Sequence, residues 1–311
     1  RASSHYAGLE LAPQLGLIPI GESQASGAWE FAVWGTGAVA ASADAPPEPE
    51  HAIELVLVPG GSFTMGGQRA VEAWPDNPFP IQDAGEDLPP HAVQLAPFFI
   101  GAHEITQAQW ERLTRTAPSF YSPTTQPELV TSTHPVESLD WYAARRGLGV
   151  FGLDLPTEAQ WEFAASAGSR DAFWFGTDPL ALETVGNVVD LTLAERDATR
   201  FGEYAYWGGR EFIDGRTLHA PIGSFRPNPF GLYDVHGNVF EWCLDATATY
   251  DTPAREGDGL RSAEGAMRML RGGGWNRRYQ LATLSRRSYD APTATDPSFG
   301  LRAARPLDPR P

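Results

Sequence analysis

The stretch GLYDVHGNVFEWCLD, residues 231–245, sets glycine, amide and carboxyl groups between apolar residues. Asp234, Gly237, Asn238 and Glu241 fall within eight positions. A tight glycine turn exposes backbone carbonyls, and a following glutamate can close a cage around a hard cation such as calcium. A structural turn with an exposed glutamate is the plainer reading of the same spacing. The segment also carries the single cysteine of the chain, Cys243. One thiol excludes an intrachain disulfide and a cysteine-type zinc site. Its apolar neighbours mark it as buried and inert.

Working outward, IELVLVPGGSFTMGG (53–67) reads as a strand, a Gly-Gly turn and a second strand, a hairpin. LGLIPIGESQASGAWEFAVWGTG (15–37) reads as another hairpin. It is followed by ASADAPPEPEHA (41–52), an acidic, proline-rich linker or surface loop. Residues 1–52 are therefore expected to form an N-terminal extension, and residues 53–311 one domain. Helices are expected at 106–115 after Thr106, at 138–149 from Ser138 to Gly147, and at 156–168 after Pro156 and Thr157. Glycine and proline are spread through the rest, which points to irregular structure held by buried aromatic side chains rather than to disorder.

With 311 residues, 42% of them hydrophobic, the chain can bury a sizeable core. The net charge of −16 argues against nucleic acid and anionic membranes as partners. No run of apolar residues is long enough to span a bilayer. The chain opens on Arg1 rather than Met, compatible with a segment upstream, and the compartment, cytoplasmic or exported, stays open. All 23 basic residues are arginine, as a GC-rich genome would give.

No nucleophile elbow, phosphate loop or dinucleotide fingerprint is present. His103, His134, His219 and His236 lack any local metal-ligand spacing. Glu104, Glu137, Asp140, Glu158 and Glu162 lie near or on the expected helices, where caps and solvated faces explain them best. Asn187 and Asp214 form a second, weaker candidate cation pair.

Taken in order, the blocks VPGGSFTMGG, HAVQLAPFFIGAHEITQAQW, HPVESLDWYAARR, LPTEAQWEFAA, GSFRPNPFGLYDVHGNVFEW, RMLRGGGW and SFGLRAAR resemble the formylglycine-generating enzyme, or sulfatase-modifying factor, family over residues 53–305. The resemblance implies an α+β variant of the C-type-lectin fold with little regular structure, often stabilised by calcium. Two calcium sites are implied. One uses the Asn187 and Asp214 side chains with the carbonyls of Val188 and Arg216. The other uses the carbonyls of Asp234, Gly237 and Val239 with the Glu241 carboxylate, and it is the one more strongly expected here, because a long insertion separates Asn187 from Asp214.

The catalytic part of the resemblance fails. The family's oxidase binds copper(I) through two cysteines after the RGG turn, and this chain has Arg277 and Ala282 there. Neither is a soft-metal ligand. The histidine-rich helix of iron-dependent relatives is missing too, so neither copper nor iron is expected. The loop instead presents Trp275, Asn276, Arg277, Arg278, Tyr279, Arg286, Arg287 and Tyr289. Arginine and tyrosine dominate recognition surfaces. The expected function is thus non-catalytic binding of a protein or small molecule, anionic in character, by the 275–298 loops. Some relatives are variable binding proteins diversified by retroelements in a similarly placed segment. A metal-dependent oxidoreductase with altered ligands is the alternative. A domain of a larger chain is also compatible, since family domains are often fused to kinases.

Overall fold

The computed structural model describes residues 6, 9, 11–66, 89–197, 199, 213–262 and 267–307. Three sheets and four α-helices make up the regular structure of these residues. Strands β1 (Leu17–Glu22), β2 (Trp29–Val33), β3 (Glu54–Val58), β6 (Phe98–Gly101) and β11 (Ala304–Pro306) form one sheet in the order β1-β2-β3-β6-β11. Strands β7 (Phe240–Ala246), β8 (Arg268–Arg271), β9 (Ser288–Asp290) and β10 (Phe299–Gly300) form a second, in the order β10-β7-β8-β9. Strands β4 (Gly61–Met65) and β5 (His91–Leu95) form a separate pair.

The hairpin at 15–37 forms as β1 and β2. Through β2 it pairs with β3 and continues the same sheet. The Tyr6 hydroxyl donates to the carbonyl of Leu57 and fastens the preceding chain to that sheet.

The expected hairpin at 53–67 does not form. β3 pairs with β2 and β6, whereas β4 pairs with β5. Gly60 and Gly61 both take positive φ, and Gly60 lies so close to the backbone of Leu95 to Pro97 that a Cβ would clash. These glycines carry the chain from one sheet to the next instead of folding it back.

The inner strands β3 and β6 of the first sheet are buried on both faces. Leu55, Leu57 and Phe99 face one core with Trp110, Trp141 and Trp242. Val58, Phe98 and Ile100 face another with Trp161 and Cys243. Leu55–Val58 and Phe98–Ile100 are accordingly apolar at successive positions. Cys243 is fully buried, as its neighbours implied.

The helices follow their caps. α1 (Gln107–Thr114) starts at Thr106 and α3 (Glu158–Ser166) at Thr157, each with a reciprocal box to a glutamine three residues on. α2 (Trp141–Gly149) is capped by Asp140, not Ser138, and runs through Gly147. The Trp110 ring occupies the space a side chain at 147 would need, so this glycine is a packing residue and not a stop.

Candidate functional site

The RGG turn ends β8 and fixes the loop that follows. Arg271 is wholly buried and donates to Glu158 at 3.1 Å and to Glu162 at 2.5 Å, both on α3. Gly273 has positive φ and abuts Ala282, leaving no room for a Cβ. A 3-10 turn at Tyr279–Ala282 closes the loop. His236 Nδ1 meets the Ala282 carbonyl at 2.7 Å, and the Trp174 amide donates to His236 Nε2. Burial pulls the His236 pKa down to about 4, so the ring is neutral and serves as a fixed bridge.

Most of the loop residues expected to recognise a ligand are structural. Trp275, Asn276 and Tyr279 are buried. Trp275 donates to the Pro297 carbonyl and packs edge-on against Tyr121. Arg287 is held by Glu158, with Nε at 2.6 Å and Nη2 at 2.9 Å. Arg277 pairs with Asp296 at 3.3 Å, both about one-third exposed. Arg278 and Arg286 are engaged as well. Internal carboxylates thus balance two of the four arginines, Arg277 and Arg287. Tyr289 is the clear exception, at 60% exposed.

Tyr289 and Arg287 do meet at an opening. With Thr247, Ala248, Thr249, Met267 and Met269 they line a cavity of about 320 Å³ beside β9, the outer strand of the second sheet. Its walls are two methionine thioethers, a phenol ring and two threonines. Met269 lies in β8 and Met267 in the bend just before it. Sequence reading missed Thr247, Thr249 and the methionines, which lie outside the 275–298 loops.

The acidic residues near the helices were misread. Glu104, Glu137, Glu158 and Glu162 are buried rather than solvated, and only Asp140 acts as a cap. Glu104 accepts from the Asn238 side chain and the Val239 amide, and burial holds its carboxyl well above the usual range.

The two candidate cation sites differ. Glu241 does not fit a cation. Its oxygens accept from Arg302 Nε and Nη2, the latter at 2.7 Å, and from Trp161 Nε1 at 2.8 Å. The positive charge expected of calcium is supplied by a guanidinium. Neighbouring Asp234 accepts from the Gly223 amide, and Gly237 sits hard against Asn187. The other set fits better. Asp214 is held against Asp190 by its own amide, which donates to Asp190 Oδ2. One Asp214 oxygen accepts from the Arg216 amide, and the other is buried with no partner. Burial and the Asp190 charge push the Asp214 pKa up to about 8. Asn187 is buried and donates to the Leu218 carbonyl and to Asn238. Oxygen donors without a counter-charge suit a hard cation. Among the described residues no cluster of three His, Cys, Asp or Glu side chains is placed to hold a metal, so such a site would draw on amide and carbonyl oxygens.

Comparison with known proteins bears on this arrangement. The family described as "Sulfatase-modifying factor enzyme 1-like domain" matches residues 41–307. The chain is 28% identical over 291 residues to the serine/threonine-protein kinase pkn1 of Chlamydia pneumoniae, covering 84% of this chain and 39% of the kinase. It thus spans about two-fifths of the kinase relatives it matches. It is also 28% identical to the formylglycine-generating enzyme of Streptomyces coelicolor, over 86% of this chain and 95% of that enzyme. PvdO from Pseudomonas aeruginosa shares the fold with a TM-score of 0.62 at 24% identity, covering 82% of this chain and 95% of that one. Treponema denticola variable protein 1 does so with a TM-score of 0.58 at 20% identity, covering 81% and 95%. No helix among the described residues is long and apolar enough to cross a membrane. The match over residues 41–307, carried by the ordered blocks and the RGG turn, shows that the chain belongs to the sulfatase-modifying-factor family.

Proposed function

We propose that this chain is a ligand-binding member of the family that works without copper-thiolate chemistry. The observation that carries the reading is the fate of the two positions where the family's oxidase keeps cysteines. Ala282 is fully buried and offers no donor, and Arg277 is turned to Asp296. Next to this closed loop, Tyr289 stands at the mouth of the 320 Å³ cavity. The lining suits an apolar group carrying one hydroxyl or carbonyl, held by the Thr247 and Thr249 hydroxyls and packed on thioether and phenol. Methionine surfaces adapt readily to such shapes.

The test is twofold. Copper(I)-loaded protein is incubated in air with a cysteine-containing sulfatase-type peptide and analysed by mass spectrometry. No formylglycine is expected, and conversion would overturn the non-catalytic reading. Uncharged aromatic amides are then screened by ligand-observed NMR. Binding that Tyr289→Ala and Met267→Ala abolish together supports the cavity, and binding indifferent to both sinks it.

Calcium at Asn187, Val188, Asp214 and Arg216 belongs to the same reading, as structural support for the loop that precedes the Asp234–Glu241 segment. A second reading rests on the chlamydial kinases, of which the chain matches only part. There the domain serves as a recognition module of a larger protein. Immunoblotting the native protein for its mass decides between a free domain and a module.

A further inference from the structure

Arg261 is a buried cation with no carboxylate at ion-pair distance among the described residues, although Glu158 and Asp245 feel its charge. Its side chain is 1% exposed. Nε has no acceptor. Nη1 reaches only the thioether of Met65 at 3.5 Å, a weak acceptor. Nη2 meets His91 Nε2. The guanidinium lies 4.7 Å from the centre of the Tyr250 ring. Every other deeply buried arginine described here is matched: Arg271 by Glu158 and Glu162, and Arg302 by Glu241. Asp245 accepts from the Arg261 backbone amide, not from its guanidinium, and its own carboxyl is raised to about 7 by burial and by Glu158.

A buried charge is normally paired, since leaving water without an ionic partner is expensive. Arg261 lines a cavity of about 370 Å³, within the range of small-molecule sites. Its apolar lining comes from Ala92, Val93, Pro253 and Ala254. The rim holds Glu256 and Arg255, the latter already paired with Asp258. His91 lines the same cavity and contacts the guanidinium. It is partly exposed, and burial together with Arg261 lowers its pKa. Its neutral ring supplies Arg261 with a lone pair where a carboxylate would supply a charge. Its ring lies 4.0 Å from the Tyr250 ring, tilted by 51°.

We propose that this cavity binds a small monocarboxylate with an apolar or aromatic body. The carboxylate takes the place of His91 Nε2 as acceptor for Arg261, and the apolar body lies on the Ala92, Val93 and Pro253 wall. The planar fork of arginine matches a carboxylate. Glu256 at the rim opposes ions of higher charge, so inorganic phosphate is not the ligand. This site is separate from the methionine-lined cavity and stands without it.

Benzoate is the probe, titrated calorimetrically into the full chain. Saturable binding at millimolar concentration or tighter is expected. Arg261→Met should weaken it by about tenfold or more, the loss of one charge-assisted hydrogen bond. His91→Ala, which leaves the arginine in place and removes the competing acceptor, should tighten it. Circular dichroism verifies folding, and the His91 variant keeps the test decisive if Arg261→Met does not fold. Absence of saturable heat, binding unchanged in both variants, or phosphate binding as well as benzoate would each overturn the proposal.

Discussion

Glu241 and Asp214 are both carboxylates expected to bind calcium, and the fold treats them in opposite ways. Glu241 is surrounded by donors: a guanidinium and an indole fill both its oxygens. Asp214 is held next to a second carboxylate, with one oxygen buried and unpartnered. A motif displays its donors, but the counter-charge comes from elsewhere in the chain. Arg302 lies 61 residues beyond Glu241, whereas no cation reaches Asp214 at ion-pair distance among the described residues. The Glu241 carboxylate is neutralised by a salt bridge, whereas the Asp214 carboxyl has no ion-pair partner among the described residues.

The sharpest way to break this comparison is to remove Arg302. Arg302 also donates to the carbonyls of Gly101, Ala102 and Tyr233, so it ties β6 to the 231–241 turn. Arg302→Leu strands a buried carboxylate, which typically costs about 3–5 kcal/mol. Urea unfolding should show a loss of that size. The double change Arg302→Leu with Glu241→Gln should recover part of it, because the unpaired charge is then gone. A loss below about 1 kcal/mol for the single change would mean that Glu241 has another counter-ion, and calcium would return as the candidate.

A smaller effect, of a few kcal/mol at most, is expected at Asp214. Its folded pKa is about 8, above its ordinary value, so the metal-free fold favours the protonated form. That contribution to stability is complete below the unfolded pKa near 4 and is lost as pH rises toward about 8. Calcium needs the ionised carboxylate, so the rise in Tm on adding calcium to EGTA-treated protein should be greater at the alkaline end of this window. Asp214→Asn should remove both the pH slope and the calcium response while raising the alkaline stability of the metal-free protein. An unchanged response to calcium in the variant would place the ion elsewhere.

What was legible in the sequence was local. Thr106 and Thr157 announced their helices because the cap, the first turn and the capping-box glutamine all lie within four residues. The ordered blocks and the RGG turn carried the family. The 53–67 hairpin failed because the partners of a strand are not written beside it: β3 chooses β2 and β6, and β4 chooses β5. The ion pairs of the 275–298 loops were hidden for the same reason. Glu158 lies 113 residues from Arg271 and 129 from Arg287, and nothing near either arginine announces that one buried carboxylate holds both. Composition alone cannot tell an arginine that faces a ligand from one that neutralises the core.

The smallest prediction refines that last distinction. Arg277 and Arg287 belong to one loop and both have carboxylate partners, but in different surroundings. The Arg277–Asp296 pair is 3.3 Å apart and about one-third exposed on each side, so water and salt screen it. Exposed pairs of this kind contribute about 0–1 kcal/mol. The Arg287–Glu158 pair is bidentate onto a fully buried carboxylate. Arg277→Ala should therefore shift the unfolding midpoint slightly, with the small effect fading further at high salt, while Arg287→Ala should shift it clearly more and with little salt dependence. Equal effects would show that the loop is one cooperative structural unit. Under the expected outcome, position 277 is free to vary while position 287 is not, which confines any diversification of this loop to its solvent-facing positions.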